Sequence, residues 1–203
     1  MLPQRHTLDD LTGLLIPQPI TPDEYLEMER AALQKSEYFA GEVFLMAGAT
    51  PNHNRVARNV LTELNGGLRG QKCEAFGSDQ RLYIKKNGLY TYPDVIVVCG
   101  RIEYDNRDSD AITNPLLIVE VLSPTTANYD RGGKFELYRD IPSFGEYALV
   151  HQDKVHIDHH LRDEKRRWLL TEYKDLEASL LFESTDISIP LQRIYERVDW
   201  LIG

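Results

Sequence analysis

Two short apolar runs, each carrying one carboxylate, constrain this chain more than any other feature. Asp94 heads the run Val95–Cys99 in TYPDVIVVCG, and Glu120 lies inside LLIVEVL. Runs of this length, rich in valine and isoleucine and bounded by turn residues, fit strands buried on both faces. A carboxylate inside such a strand costs several kcal/mol unless it is paired, hydrogen-bonded or bound to a metal. Side chains alternate along a strand, so Asp94, Ile96 and Val98 share one face, and Ile118, Glu120 and Leu122 share another. If the two strands are neighbours, both carboxylates point to one spot. They repel each other there, and a divalent cation relieves the repulsion. Magnesium in particular is held by one or two carboxylates together with waters and substrate phosphates. Pro93 suits the first residues of a strand.

The rest of the chain reads as one mixed α/β domain over 21–203, with a loosely structured arm over 1–20 that has one turn near Leu8–Leu15. A first helix starts at Thr21-Pro22-Asp23-Glu24, where Thr21 caps, Pro22 occupies the first helical position and Glu24 completes a capping box; it runs to about Gln34. SEYFAGEVFLMAG reads as a hairpin turning at Ala40-Gly41. A second helix follows Pro51, with Val56, Val60, Leu61, Leu64 and Leu68 on one face and Gly70 at its end. Strands are expected near 72–76, 79–85, 91–98 and 116–122, then a loop on Ser123-Pro124-Thr125-Thr126 and a short helix near 131–140. Further strands are expected near 146–151, 154–161 and 167–173, with a short element after Pro190. The polar segment around Tyr104–Asn114 is the expected mobile loop.

Composition limits the function. The chain has 203 residues, enough for one substantial core, and 42% hydrophobic with 27% charged residues is ordinary for a soluble globular protein. No apolar run reaches the roughly 18–20 residues that span a membrane, and the N-terminus, with its acidic residues and no clean apolar core, does not read as a secretion signal. Cys73 and Cys99 have no CxxC spacing and read as reduced, buried thiols of a cytoplasmic protein, a disulfide being the lesser alternative. The net charge of −9 argues against broad, charge-driven nucleic-acid binding. A local groove with a few contacts, such as Lys85, Lys86, Arg131 and Lys134, is compatible with it.

Downstream lies NYDRGGKFELYRD. On a helix, Asp130, Lys134 and Tyr138 are spaced by four and share one face. A helix packed across the strand ends delivers the Lys134 ammonium beside Glu120. With YPDV, NPLLIVEVLSPTT and DRGGKFELYR, and with SEYFAGEVFLMAGA and PNH upstream, the chain after residue 20 resembles the Uma2 family, a former domain of unknown function common in cyanobacteria and assigned to restriction endonucleases. The resemblance implies a fold similar to the PD-(D/E)xK nuclease core, a central mixed β-sheet flanked by helices. It implies one or two Mg²⁺ or Mn²⁺ ions held by Asp94, Glu120 and the backbone carbonyl of Val121. The motif's lysine falls at position 122, where this chain has Leu122. Nucleases exist in which that lysine has moved to the following helix, and Lys134 is the matching candidate. Glu37 matches a family glutamate.

Each of these residues also has a plainer reading. Asp94 caps or pairs at a strand start, Glu120 pairs with an arginine, and Lys134 is a solvated helix lysine. Ser123 closes the SPTT turn; no Gly-x-Ser-x-Gly elbow surrounds it. Glu42 is a solvated hairpin residue, and His53, at a helix start, faces the site or the substrate phosphate, or else caps. In KVHIDHH, His156, Asp158 and His160 alternate onto one strand face and His159 onto the other; an exposed polar face is the main reading and zinc the minor one. The preferred function is metal-assisted hydrolysis of DNA phosphodiesters, with a homodimer suited to double-strand cleavage. The alternatives are a catalytically silent module that binds nucleic acid or protein, and an enzyme acting on another phosphate ester.

Overall fold

The computed structural model describes residues 19–123 and 127–201, and the backbone of a short antiparallel pairing between His6–Thr7 (β1) and Ile16–Pro17 (β2). The turn expected near Leu8–Leu15 and the Pro124–Thr126 part of the SPTT loop lie outside the described residues. Helix α1 spans Pro22–Ala31 behind the expected capping box: Thr21 Oγ1 accepts from the Glu24 N–H at 3.3 Å, and Glu24 Oε2 accepts from the Thr21 N–H at 3.0 Å. It stops three residues before Gln34. The Glu29 carboxylate there accepts the Ser36 N–H at 3.0 Å, which turns the chain back into the hairpin. That hairpin pairs Ser36–Phe39 (β3) with Glu42–Leu45 (β4). Ala40 and Gly41 both take positive φ, 51° and 89°, the geometry of a tight two-residue hairpin turn. A Cβ on Gly41 would lie 2.5 Å from the Pro19 Cβ, so the position admits only glycine without rearrangement.

Helix α2 covers Pro51–Gly67, its first turn capped by the Thr50 hydroxyl, and it buries Val56, Val60 and Leu64. The chain then lays down Cys73–Gly77 (β5), Arg81–Tyr83 (β6), Tyr90–Thr91 (β7), Val95–Cys99 (β8), Ala111–Ile112 (β9) and Leu117–Leu122 (β10). Next comes one continuous helix, α3, formed by Ala127–Tyr129 and Phe135–Tyr138 in α geometry with Asp130–Lys134 as a π-helical turn between them. Glu146–His151 (β11), Ile157–Arg162 (β12) and Trp168–Tyr173 (β13) follow, then the hairpin Ser179–Phe182 (β14) and Ile187–Pro190 (β15), the short helix Leu191–Ile194 (α4) and a 3-10 turn at Asp199–Leu201.

Six strands form the main sheet in the order β13-β12-β11-β10-β8-β5, parallel between β10 and β11 and antiparallel elsewhere. A five-stranded sheet, β4-β3-β7-β6-β9, stands beside it. This is the mixed α+β architecture expected from the sequence. The main sheet is apolar on both faces. Val95, Val97, Val119 and Val150 pack on α2, α4 and the β14–β15 hairpin; Ile96, Ile118, Tyr147 and Leu149 pack on α3 and Ile84. On the α2 face the buried Glu146 accepts from the Glu183 and Ser184 N–H groups and pairs with His159 Nε2 at 2.7 Å, so it holds the β14–β15 turn.

Three expectations are corrected. Cys73 and Cys99 are joined in a disulfide and are not free thiols. β5 and β8 run antiparallel with Cys73 directly opposite Cys99, Cα atoms 4.0 Å apart, a register that a chain separation of 26 residues conceals. The expectation of a cytoplasmic protein drew on reduced cysteines and loses that support. The segment 104–114 is anchored: Ala111 and Ile112 are buried in β9, and the buried Asp108 pairs with Arg81. The β14–β15 hairpin was not expected at all. No helix among the described residues is long and apolar enough to cross a membrane.

Candidate active site

β8 and β10 are adjacent and antiparallel, with Ile118 opposite Ile96 and Val119 opposite Val95. The same register carries Glu120 opposite Asp94, one step beyond the β8 strand. Each carboxylate is locked to the other strand's backbone. Asp94 Oδ2 accepts the Val121 N–H at 2.7 Å, and Glu120 Oε2 accepts the Asp94 N–H at 3.3 Å. Tyr92-Pro93-Asp94 is also where the chain leaves the five-stranded sheet at β7 and enters the six-stranded one at β8. The site therefore sits at a junction, and the second sheet contributes Glu37 from β3.

Helix α3 crosses this junction and inserts Lys134. Its ammonium lies 2.9 Å from Glu37 Oε1, 3.2 Å from Glu120 Oε1 and 3.8 Å from Asp130 Oδ1. Tyr138, one turn on and fully buried, donates its hydroxyl to Glu120 Oε1 at 2.7 Å. Thr91, also buried, donates to Glu37 Oε1. From the first turn of α2, His53 Nε2 approaches Asp94 Oδ2 at 3.3 Å. The His53 Nδ1 atom is buried and has no hydrogen-bond partner among the described residues.

Glu37, Asp94, Glu120 and Asp130 thus gather around one ammonium and one imidazole. Burial pushes the Glu120 carboxyl up, Lys134 pulls it down, and Asp130 and Asp94 push it up again; it ends at about 8. Burial acts against the Lys134 charge, but Glu120, Glu37 and Asp130 outweigh it and hold the ammonium well above its usual range. Burial also opposes a charge on His53, and the Asp94 hydrogen bond, the charges of Asp94 and Glu120, and the Val121 carbonyl raise its pKa overall. The carboxyl groups outnumber the cationic side chains, and the proton that Glu120 retains is one a divalent ion would displace. The donors facing it are hard oxygens, the set that suits Mg²⁺ or Mn²⁺.

The structure brings together Asp94, Glu120, Lys134, Glu37, His53, Asp130 and Tyr138. Glu120 pairs with Lys134, where an arginine was the plainer alternative. Lys134 is buried and already paired with carboxylates, so it is removed from the set of salt-sensitive DNA-backbone contacts named from the sequence and belongs to the site itself. Lys85 and Lys86 remain exposed, paired at the surface with Glu103 and Asp140. The Ser123 carbonyl accepts the Ala127 N–H at 3.0 Å. Glu42 is exposed on its hairpin. Thr91 escaped sequence reasoning; its one signal was a polar residue two positions before a strand-heading Pro-Asp.

His156, Asp158 and His160 do not form an exposed polar face. His160 packs on Phe135 and Tyr147, ring centroids 4.7 and 6.3 Å away, while His151 from β11 joins His156 and Asp158 in a half-buried group. That exchange of partners depends on the β11–β12 pairing, which the strand's own alternation does not reveal.

Known proteins share the fold and the family. The crystal structure of a protein described as a "putative nuclease belonging to DUF820", from Anabaena variabilis, superposes with a TM-score of 0.70 at 16% identity, covering 87% of this chain and 98% of that one. The likeness supports the fold alone. The uncharacterized protein sll1609 of Synechocystis sp. is 39% identical over 163 residues, 80% of this chain and 92% of that protein. A second Synechocystis protein, slr1290, also uncharacterized, is 37% identical over 176 residues, 87% of this chain and 91% of its own length. The family model described as "Putative restriction endonuclease" matches residues 22–192, so the chain belongs to the Uma2 family.

Proposed function

We propose that residues 21–203 act as a metal-dependent endonuclease that hydrolyses DNA phosphodiester bonds. The observation that carries this reading is Lys134, which reaches Glu120 from a separate helix although the position two residues after Glu120 is a leucine. A catalytic lysine supplied in this way restores the acid-acid-lysine set that phosphodiester hydrolysis uses.

Asp94, Glu120 and the Val121 carbonyl are the groups that would hold Mg²⁺ or Mn²⁺. The fit rests on the oxygen donor set and on the surplus negative charge around Lys134. When bound, such an ion acidifies a water and neutralises charge on the scissile phosphate. The protein's own groups do the rest. Lys134 is held charged at neutral pH, so it acts as a fixed positive group facing the developing phosphorane charge, and not as a base. Glu37 and Asp130 keep it charged and aimed, and Thr91 fixes Glu37. The Tyr138 hydroxyl and the Asp94 N–H set the plane of the Glu120 carboxylate. His53 lies against Asp94, where it orients that carboxylate and offers a proton toward the phosphate side.

Cleavage of supercoiled plasmid tests this. Mg²⁺ or Mn²⁺ should support nicking or linearisation that disappears in Asp94→Ala. Retention of plasmid without cleavage under every metal would favour the silent binding module. Cleavage confined to RNA or to small phosphate esters would favour the third reading.

A further inference from the structure

On the same face of the main sheet as Glu120, but one and two strands further across, lies a second group of chemically capable side chains. His151 ends β11, His156 precedes β12, and Asp158 follows within it; one ligand atom from each lies within 4.8 Å of the others. The His151 and His156 rings stack with centroids 4.7 Å apart and planes 4° apart. His156 Nε2 is 3.0 Å from Asp158 Oδ1 and 3.0 Å from Glu172 Oε1. The space between them is closed by Arg131 from the π-helical turn of α3, whose Nη2 meets His151 Nε2 at 2.6 Å and whose Nε meets Asp158 Oδ2 at 3.4 Å.

The contacts fix the chemistry of His151. A guanidinium only donates, so His151 Nε2 must present its lone pair toward Arg131. The proton is then on Nδ1, which faces Asp153 Oδ1 at 3.4 Å. A carboxylate on one imidazole nitrogen, with the other nitrogen bare and turned inward, is the arrangement that protein metal sites use to orient a histidine ligand. Burial, then Lys154, Arg131 and His156, lower the His151 pKa, which keeps the ring in its ligand form.

We propose that His151, His156 and Asp158 form a second metal site, distinct from the Asp94–Glu120 pair, that takes a borderline transition ion of the Zn²⁺ class in place of the Arg131 guanidinium. Two imidazoles and one carboxylate are a nitrogen-rich set that zinc accepts and magnesium does not favour. Three protein ligands leave a fourth position to water. A divalent ion takes the place of a monovalent guanidinium, so the group gains one unit of positive charge beside the Asp158 and Glu172 carboxylates. Arg131 is released toward solvent, beside Asp130 and three residues before Lys134.

Titration of tag-free full-length protein with Co²⁺ alone, followed by its visible absorption and by calorimetry with Zn²⁺, tests the site. In Asp94→Ala, which removes the other metal position, tetrahedral Co²⁺ absorption should persist. Co²⁺ affinity should weaken at least about tenfold in His151→Asn and in His156→Gln, because an imidazole nitrogen ligand is lost in each. Arg131→Ala should move the other way and bind Co²⁺ more tightly, since a competing cation is gone. That variant keeps the test valid if the histidine variants fold poorly. Co²⁺ affinity unchanged in Arg131→Ala, or absorption abolished by Asp94→Ala alone, would overturn the proposal.

Discussion

Arg131 and Lys134 leave the same helix three residues apart and end in contrasting surroundings. Lys134 is 7% exposed and meets three carboxylates from three different elements. The Arg131 side chain is 37% exposed and meets one imidazole and one carboxylate from neighbouring strands. The difference teaches what burial does to a cation. Deep among carboxylates, an ammonium becomes part of the fold, because its loss leaves several desolvated charges without a partner. Near the surface, water replaces a lost guanidinium at small cost, so the same kind of contact stays exchangeable.

The largest expected effect breaks this contrast if it fails. Lys134→Ala should destabilise the protein by roughly 3–5 kcal/mol, the usual cost of stranding a buried charge. Arg131→Ala should cost no more than about 1 kcal/mol. Chemical denaturation of both variants decides it, and equal losses would show that the two cations are equivalent.

The next effect concerns pH. The Glu120 pKa in the folded protein is raised from 4.5 to about 8, so the metal-free folded state holds a proton that the unfolded chain releases. That contribution is complete below pH 4.5 and is lost as pH rises through about 8. At about 1.4 kcal/mol per pKa unit, the decline amounts to a few kcal/mol. In EDTA, Glu120→Gln should therefore melt close to the parent near pH 4.5 and increasingly above it toward pH 9. A mutant that melts far below the parent at both pH values would identify Glu120 as a simple ion-pair partner. Glu37 and Asp130 are what prevent that outcome, since they still hold Lys134 after Glu120 is neutralised.

Metal should give a smaller shift. Mg²⁺ or Mn²⁺ at about a hundred times its dissociation constant stabilises a folded site by about 2.7 kcal/mol. Thermal melts should show this for the parent, and a much smaller gain for Glu120→Gln. Equal gains would place the ion elsewhere. The smallest effect is in salt dependence. With Lys134 buried, the available cations are few, and the slope of log K for DNA against log salt should correspond to about 2–4 phosphates. Arg131→Ala should reduce that slope by about one contact. An unchanged slope would mean that Arg131 stays committed to His151 and Asp158 in the complex.

The site was legible where residues broke a pattern. Asp94 and Glu120 stood out because their neighbours are valine, isoleucine and leucine, and Lys134 followed from its spacing to Asp130 and Tyr138. Thr21 through Glu24 announced α1 because a capping box is written in four consecutive residues. What stayed hidden required a register between distant strands. Cys73 opposite Cys99, Arg81 against Asp108, and His151 replacing His160 beside His156 are all products of strand pairing, and no local spacing encodes them. The β14–β15 hairpin was hidden for a further reason. SLLF and ISIP are short, and the polar Glu183–Asp186 turn between them is also held by Glu146, thirty-odd positions earlier.

The π-helical turn over Asp130–Lys134 can be restated as a matter of angle. An α-helix advances about 100° per residue and a π-helix about 80°, so positions three apart lie ~60° from each other around the axis in the first and ~120° in the second. Arg131 and Lys134 are such a pair. Regular winding would aim both toward the same side, where two cations would crowd one set of carboxylates. The looser winding fans them apart, so a single helix of modest length can address the sheet junction with one residue and the neighbouring strands with the other.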